Sequence, residues 1–574
     1  MKTQLSISLG HCSNKGRKAV NQDFHGALIP SGQALALKGI SVLITDGISS
    51  SKVSQIAAES TVKSFLTDYY STSETWSVKT SATRVIRAAN SWMFAETQRS
   101  IHANNMDHGY VCTLSALVLK ARMAHIFHVG DSRIYRLEGD GLEPLTTDHR
   151  SVVSSAQSYL ARAIGMATTV DVDYRALPTH EGDIFVLATD GVFEHIAPRA
   201  LTAIIRAAQN GLDAAAQRIV AQALENGSPD NLTLQIVRID SLPKGEAADL
   251  VQNLVTLPVA PVLEAGQRFE GYDVLRTLHS NYRSHVYLVR DIKSGQKLAL
   301  KVPAQDLRKD KPALTRFMLE DWIARRVSSA HLLKAVAPRS SPAYLYTLTE
   351  YIEGQTLAQW MIDTPKCDLL QMRNIIEQIT KGLRALHRKE MLHQDLRPEN
   401  IMIDTSGTVK IIDYGAVKVA GVQETVRDPL QQDVQGALQY TAPEYFIGRP
   451  ASKASDYFSL GVIAYQMLTG KLPYGARVAR LQTKAQMARL KYTPAQNSRY
   501  EIPDWINGAL EKAVHPIPEK RYDTLSEFIT DLGTPNSRLM AKNNAPLLER
   551  NPVLFWKSLS VILVCIILVL LYFL

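Results

Sequence analysis

The sequence predicts an α+β multidomain protein ending in a transmembrane helix, and three observations carry this. At 574 residues the chain is too long for one core, and at about 150 residues per unit it divides into roughly three or four. Two long stretches, 5–239 and 268–533, each combine β-rich runs with amphipathic helices, and a Pro-containing linker at 240–267 separates them. A segment at 557–574, apolar throughout from Val561, closes the chain as the expected transmembrane helix, after a juxtamembrane linker at 534–556.

In the first unit Ser41–Thr45 and Asp183–Thr189 read as strands, each running into an Asp-Gly pair. Ala116–Leu119 and Ala124–Val129 read as neighbouring strands, and 53–69, 82–100 and 199–225 as helical. Pro243, Pro258 and Pro261 lie among small residues without periodicity, which marks the linker. The second unit opens with strand patterns at 270–302, turns helical after Asp368 and ends near Leu532; Pro535–Pro552 reads as a tether. From Ser558 to Leu574 no charge occurs, and Val561–Leu574 is almost entirely Ile, Leu and Val, near the short end of the ~17–25 residues that span a bilayer. Such a segment has no polar face to offer water. Arg550 and Lys557 precede it, which keeps the preceding units on the cytoplasmic side.

A composition of 45% hydrophobic and 21% charged residues excludes global disorder. The net charge of +9 fits an anionic membrane face or acidic substrates, and equally a solvated basic surface. Nothing resembles a nucleic-acid module. Cys12, Cys112, Cys367 and Cys565 lie far apart without a C-x-x-C, which points to a reducing compartment. The N-terminus lacks the apolar stretch of a signal peptide.

Four acidic residues of the first unit stand at strand edges or turns: Asp23 in Asn21-Gln22-Asp23, Asp46 in Thr45-Asp46-Gly47, Asp190 in Thr189-Asp190-Gly191, and Asp230 in Asp230-Asn231. Asp131, in Gly130-Asp131-Ser132-Arg133-Ile134-Tyr135, is a fifth. Hard divalent cations take carboxylate oxygens and keep several waters, so carboxylates from separate strand ends suit a paired magnesium or manganese site. Glycine after Asp46 and Asp190 lets the backbone turn sharply and exposes a carbonyl as a further ligand. One Asp-Gly is usually only a turn. Five acidic positions in order, joined by Leu145-Thr146-Thr147-Asp148-His149 and Ala161-Arg162-Ala163-Ile164-Gly165, are far more specific.

These runs resemble the metal-dependent protein phosphatases (PPM, protein phosphatase type 2C) along the whole first unit. The resemblance implies an αββα sandwich, two stacked antiparallel sheets flanked by helices. It implies Asp46, Gly47, Asp190 and Asp230 as residues of an Mn²⁺ or Mg²⁺ site, with Asp23 beside them and Asp131 near a third, weaker ion. The implied chemistry is in-line attack on phosphorus by a metal-activated water, without a phosphoenzyme. Phosphoserine and phosphothreonine proteins are the implied substrates. A basic residue before Asp23 should bind phosphate: Arg17 is the better bidentate partner, Lys18 the better match in spacing. His149 is either a proton donor or a structural residue.

The second unit carries His393-Gln394-Asp395-Leu396-Arg397-Pro398-Glu399-Asn400, followed by Asp413-Tyr414-Gly415. Phosphoryl transfer needs a positioned hydroxyl and neutralised phosphates, with little covalent chemistry. Asp395 would accept the substrate hydroxyl proton, and Asn400 and Asp413 would each hold a Mg²⁺. Lys301, in Leu298-Ala299-Leu300-Lys301, would reach nucleotide phosphates, and Glu320, in a helix that begins at Phe317, should pair with it.

This set resembles the eukaryotic-type Ser/Thr protein kinases over about 270–532. The resemblance implies a bilobal protein-kinase fold that uses ATP and Mg²⁺, with a hinge at Leu348–Gly354 that includes Glu350. It also implies an activation segment closed by Ala442-Pro443-Glu444, with Arg521 as partner of Glu444. In the nucleotide loop His279, Asn281 and Ser284, ahead of Val286, replace the usual glycines and should weaken or reshape the phosphate cradle. Gln394 replaces the arginine that reads activation-loop phosphate, so loop phosphorylation is not expected as a switch. Arg397 replaces the catalytic-loop lysine, and Ala437 the threonine typical of Ser/Thr kinases.

Together these features read as a bifunctional protein-serine/threonine kinase and phosphatase in signalling, a single-pass membrane protein with a C-terminal anchor and cytoplasmic catalytic domains. Its partners would be protein and phosphoprotein substrates, its own kinase domain being one to consider, and no nucleic acid. One rival is an active phosphatase whose kinase-like unit is a pseudokinase that senses nucleotide or docks partners. The other is a membrane scaffold with both domains retired, against which the intact acidic sets count.

Overall fold

The computed structural model describes residues 4–573 except 104, 140, 155–156, 209–210, 244–256, 340, 366, 425–438, 482, 497–500 and 540–551. In the first unit ten strands form two five-stranded antiparallel sheets, and Arg150–Ser154 pairs separately with Gln157–Leu160. One runs in spatial order Ser6–Asn14, Leu232–Ser241, Ile184–Ala188, Arg133–Glu138, Gly141–Pro144. The other runs Asp173–Pro178, Met123–Val129, Leu114–Lys120, Ile40–Asp46, Asp23–Leu28.

Strand alternation sets the layers. Val42, Ile44, Leu117 and Leu119 meet Ile134, Phe185, Leu187 and Val237 of the facing sheet. Their neighbours Leu43, Ala116 and Val118 pack instead against the helices Ser54–Ser71 and Val78–Arg99, through Val62, Phe65 and Ile86. Val186, Ala188, Leu234 and Ile236 cover the helices Pro198–Ala207 and Leu212–Glu225 on the far side. The result is four layers, αββα. Because these strands are covered on both faces, they read as continuous apolar runs. The helical stretch read at 199–225 is two helices, and the one read at 82–100 starts earlier, at Val78, where Ser77 caps it by accepting the Thr80 N–H.

The second unit begins with an antiparallel sheet of Arg268–Phe269, Tyr272–Ser280, Ser284–Asp291, Lys297–Pro303 and Thr347–Glu350. Its helix Lys311–Ala324 starts six residues ahead of Phe317, at an Asp310 cap with Pro312 in the first turn. The larger lobe is helical, and Leu369–Arg388, Lys453–Thr469, Asp504–Ala513 and Leu525–Gly533 share one core through Ile376, Leu383, Phe458, Leu510 and Phe528. Leu369–Arg388 opens with a capping box of Asp368 and Gln371, which is why the helical pattern sets in there.

The last part of the segment read as a linker is built into the small lobe. Leu345 N–H donates to the Pro258 carbonyl, and Ala260 and Leu263 are buried with Val274, Tyr287 and Leu300. The C-terminal helix spans Pro552–Phe573. Among the described residues no helix is long and apolar enough to cross a membrane, so the expected transmembrane helix gains no support there. Linker residues 244–256, the tether at 540–551 with Arg550, Leu574 and Ala437 lie outside the described residues.

Candidate active sites

In the first unit the strands Asp23–Leu28 and Ile40–Asp46 pair so that Asp23 and Asp46 stand directly opposite one another. Like charges so placed oppose folding, which makes the pair hard to explain as structure alone. Thr189 Oγ1 donates to Asp23 Oδ2 at 2.9 Å, while Asp23 Oδ1 is buried with no partner among the described residues. Burial pushes Asp23 up to about 6, against the hydrogen bond from Thr189. Burial, then the charges of Asp23, Asp190, Asp131 and Asp230, lifts Asp46 well above the usual carboxylate range. Asp190 is pushed up to about 7 by burial and by Asp131 and Asp230, against Arg150.

Buried carboxylates that raise one another, one with an orphaned oxygen, fit a hard divalent cation. Among the described residues no three His, Cys, Asp or Glu side chains converge closely enough to hold an ion unaided, which leaves carbonyls such as that of Gly47 and waters to complete coordination. The glycines have a different reason from the one expected. Neither Gly47 nor Gly191 has a positive φ. A Cβ on Gly47 would lie 2.8 Å from the Ser54 carbonyl oxygen, and one on Gly191 only 2.0 Å from that of Asn231. Close approach of backbones, not a sharp turn, demands glycine there.

Of the two basic candidates, Lys18 Nζ lies 2.9 Å from Asp230 Oδ1 and 2.7 Å from Ser49 Oγ, whereas Arg17 is exposed. Arg150 was not singled out by the sequence. Its guanidinium bonds Asp131 Oδ2 and Asp190 Oδ2, each at 2.7 Å, and Glu194 Oε1 at 2.9 Å. A cation of the protein itself therefore engages Asp131, where a third ion was expected. The only signal was its place directly after His149. Both ring nitrogens of His149 are engaged within the fold: Nδ1 accepts the Gly130 N–H and Nε2 lies 3.0 Å from Asp173 Oδ2. Asn231, noted only as part of a motif, ties the loop 15–22 to this site through Lys15 and Val20 carbonyls and the Gln22 N–H.

In the second unit Lys301 Nζ sits 2.8 and 2.7 Å from the two Glu320 oxygens. Asn400 Nδ2 donates to Asp395 Oδ2 at 2.9 Å, and Gly415 N–H to Asp413 Oδ1 at 2.8 Å. These groups line a cavity of about 540 Å³ with Asn281, Ser284 and Arg397. Burial pushes Asp395 up to about 6, Arg397 opposing and Asp413 adding to the rise. Burial acts against Asp413 too, but Lys301 and the Gly415 N–H hold it below the usual range. Among the described residues the cavity wall does not include His279, Val286 or Glu350. His279 and Val286 pair across the hairpin, and Glu350 takes Lys410 Nζ at 2.7 Å and the Lys334 N–H at 3.0 Å. At the hairpin tip Asn281 Oδ1 accepts the N–H groups of Arg283 and Ser284, both at 2.9 Å, so a side chain holds amides that a glycine would leave free.

Tyr414 is buried and donates to the Leu333 carbonyl. Glu444 and Arg521 form a buried pair at 2.7 Å. Asp456 accepts the backbone N–H groups of His393 and Gln394 and lies 2.8 Å from His387 Nε2, which fixes the loop that carries Asp395. Gln394 has φ 67°, and its side-chain amide has no partner among the described residues.

The two sites define a protein of two units, one that gathers buried carboxylates and one that sets a lysine, two aspartates and an asparagine around a cavity. The chain carries a Protein phosphatase 2C domain, matched over residues 12–226, and a Protein kinase domain, matched over 272–531. Among curated relatives it is 27% identical over 276 residues to the serine/threonine-protein kinase PrkC of Bacillus subtilis, covering 47% of this chain and 41% of that protein. It is 30% identical over 196 residues to the serine/threonine-protein kinases PknA of Corynebacterium glutamicum, covering 33% of this chain and 41% of that protein. The chain thus spans well under half the length of these relatives. Solved structures similar to the phosphatase unit include PppA, a key regulatory component of T6SS in Pseudomonas aeruginosa (21% identity, 41% of this chain, 99% of that one, TM-score 0.36). Another is the catalytic domain of PstP in complex with two manganese ions (19% identity, 41% and 100%, TM-score 0.35). ATP with Mg²⁺ serves a protein kinase domain, and Mn²⁺ or Mg²⁺ a protein phosphatase 2C domain.

Proposed function

We propose that this chain is a bifunctional signalling enzyme, a protein-serine/threonine kinase and a metal-dependent protein-serine/threonine phosphatase. The observation that carries the reading is that both acidic sets are assembled, each in its own unit. Lys301–Glu320 and Asp395–Asn400 are paired beside Asp413, and Asp46 is surrounded by Asp23, Asp131, Asp190 and Asp230. In the kinase unit Asp395 orients and deprotonates the hydroxyl, Lys301 holds nucleotide phosphate, Arg397 steadies the transferred group, and Asn400 and Asp413 would hold Mg²⁺. In the phosphatase unit Asp46, Gly47, Asp190 and Asp230 would hold the ions, with Asp23 behind them and Lys18 on the phosphate. The ions, when bound, supply an activated water for in-line attack. Asp395, held by Asn400, favours transfer over a unit that only senses nucleotide, because nucleotide binding alone needs no proton acceptor.

Transfer of labelled phosphate from ATP by the purified chain tests the reading. Asp395→Ala should reduce it by on the order of 10³-fold, and a wild-type chain that transfers nothing would refute the kinase half. With Asp395 near 6, the kinase rate should fall about tenfold per pH unit on the acid side of that value, because a protonated carboxyl cannot take the hydroxyl proton. A rate still flat at two units below would argue against Asp395 as base.

Replacing Asn281 and Ser284 by glycine should free the Arg283 and Ser284 amides for phosphate and lower KM for ATP by about 3- to 10-fold. A higher KM would mean that the present side chains themselves hold phosphate.

The apolar run Val561–Leu574 supports a C-terminal membrane anchor, as does the exposure of Val561, Leu563, Val564, Ile566, Ile567 and Leu568 on the helix surface. In this reading the catalytic units face the cytoplasm. Truncation after Arg550 should then release both activities into the soluble fraction, and recovery of the full chain there without detergent would contradict the anchor.

A further inference from the structure

The two catalytic units touch through a surface that neither chemistry uses. The helix Val78–Arg99 points its N-terminus at the kinase unit, and kinase carboxylates receive its free N–H groups. Glu390 Oε2 accepts the Ser77 N–H at 2.7 Å and the Ser77 hydroxyl at 3.0 Å, and Glu390 Oε1 accepts the Thr80 hydroxyl at 2.6 Å. Glu424 Oε2 accepts the Val78 N–H at 3.0 Å and Lys120 Nζ at 3.0 Å, and Lys120 also donates to the Gly421 carbonyl at 2.7 Å. Lys120 ends a core strand, and its side chain is 0% exposed. A lysine is buried so completely only when its charge is met, and the kinase unit supplies both partners. Gly421 N–H donates to the Thr75 carbonyl, and a Cβ there would lie 2.8–3.0 Å from the Glu74, Thr75 and Trp76 carbonyl oxygens. Only glycine permits this approach. Trp76 Nε1 donates to the Arg388 carbonyl, and Glu74 Oε2 takes Arg326 at 2.6 Å.

The kinase elements held in this way are those on which its site depends. Lys418–Val419 pairs with Met391–Leu392, so one short ribbon joins the Asp413 turn to the Asp395 loop, and Gly421, Glu424 and Glu390 lie at its outer end. Arg326 follows the helix Lys311–Ala324 that presents Glu320 to Lys301. In kinases that order this region by phosphorylation an arginine reads the phosphate; here Gln394 occupies that position and cannot.

We propose that the phosphatase unit, apart from its own chemistry, is a built-in docking platform for the start of the kinase activation segment. The segment 74–80 together with Lys120 clamps Glu390, Lys418–Glu424 and Arg326, and so holds Asp413 and Glu320 in their working positions. This rests on the kinase activity proposed above.

The test uses the full chain with Glu424→Gln, Glu390→Gln, Lys120→Met and the milder Thr80→Val. Three measurements are made: transfer from ATP to histone, hydrolysis of p-nitrophenyl phosphate, and hydrogen exchange over 418–424 and 311–324. Expected is a roughly tenfold loss of kinase kcat in the three charge variants and about threefold in Thr80→Val, with hydrolysis within about twofold of wild type as the check on folding. Exchange over 418–424 should rise about tenfold. The double variant Lys120→Met with Glu424→Gln should be no worse than either single one, because the two residues act as a pair across the two units. Kinase rates within twofold of wild type with unchanged exchange would overturn the proposal, as would a rise in kinase rate, which would make the contact a restraint. A wild-type chain with no transfer would count against the kinase reading, and the exchange data would then decide the docking alone.

Discussion

Chelation of divalent metal, or Asp46→Ala combined with Asp190→Ala, is expected to reduce phosphate-ester hydrolysis by on the order of 10³-fold or more. None of these carboxylates is placed as a nucleophile, so without an ion they only repel one another and the incoming phosphate. That repulsion also fixes how the chelated protein responds to pH. Asp23 and Asp190 are raised to about 6 and about 7, above the values that the same groups take in an unfolded chain. At these two groups the folded state therefore holds more protons than the unfolded state between about pH 4 and 7, and their contribution to stability falls as pH rises through that window. Buried His25, His125 and His128, each lowered to about 4, act in the opposite direction below their unfolded value, so the carboxylate contribution is read as the difference between wild type and Asp190→Asn. Without metal, Asp190→Asn should raise the melting temperature more at pH 8 than at pH 5, and Mn²⁺ should remove that advantage. Thermal melts of both chains across pH with and without Mn²⁺ measure this; an equal effect at both pH values would mean that Asp190 is already neutralised by Arg150. Undiminished hydrolysis after chelation would remove the metal-site assignment altogether.

The acidic residues were legible because strand ends and turns keep them close in sequence to glycine, asparagine and threonine. What those neighbours do was less legible. The glycines after Asp46 and Asp190 suggested sharp turns, but their φ values are negative and the constraint is a backbone packed against Ser54 for Gly47 and against Asn231, forty residues on, for Gly191. The choice between Arg17 and Lys18 was open in spacing, and the structure brings only Lys18 to Asp230. Arg150 offered only its place after His149, since one arginine at the start of the short strand Arg150–Ser154 carries no periodicity. Lys120 shows the same limit. The apolar strand pattern stops at Leu119, whereas the strand itself runs on to a lysine buried by the other unit. Contacts between units leave no repeat in either sequence, so Glu390 and Glu424 read as ordinary surface charges.

Kinase activity should fall by on the order of 10³-fold in Lys301→Ala and at least as far in Asp413→Ala, while phosphatase activity stays within about twofold of wild type. Lys301→Ala leaves Glu320 buried without its cation. Burial already raises Glu320, and only Lys301 opposes that with both charge and hydrogen bonds. The variant's Glu320 therefore takes up a proton, and the helix Lys311–Ala324 loses its tie to the sheet. Asp413→Ala instead removes the carboxylate held low by Lys301 and the Gly415 N–H, the form that a Mg²⁺ needs. The two variants should differ in nucleotide binding: Lys301→Ala weakens ATP with or without Mg²⁺, whereas Asp413→Ala weakens it only when Mg²⁺ is present. Calorimetric titration of ATP in both conditions separates them. Joint loss of kinase and phosphatase activity in folded protein would show that the two sites are not chemically independent, and equal ATP binding by Lys301→Ala and wild type would show that this lysine does not face the nucleotide.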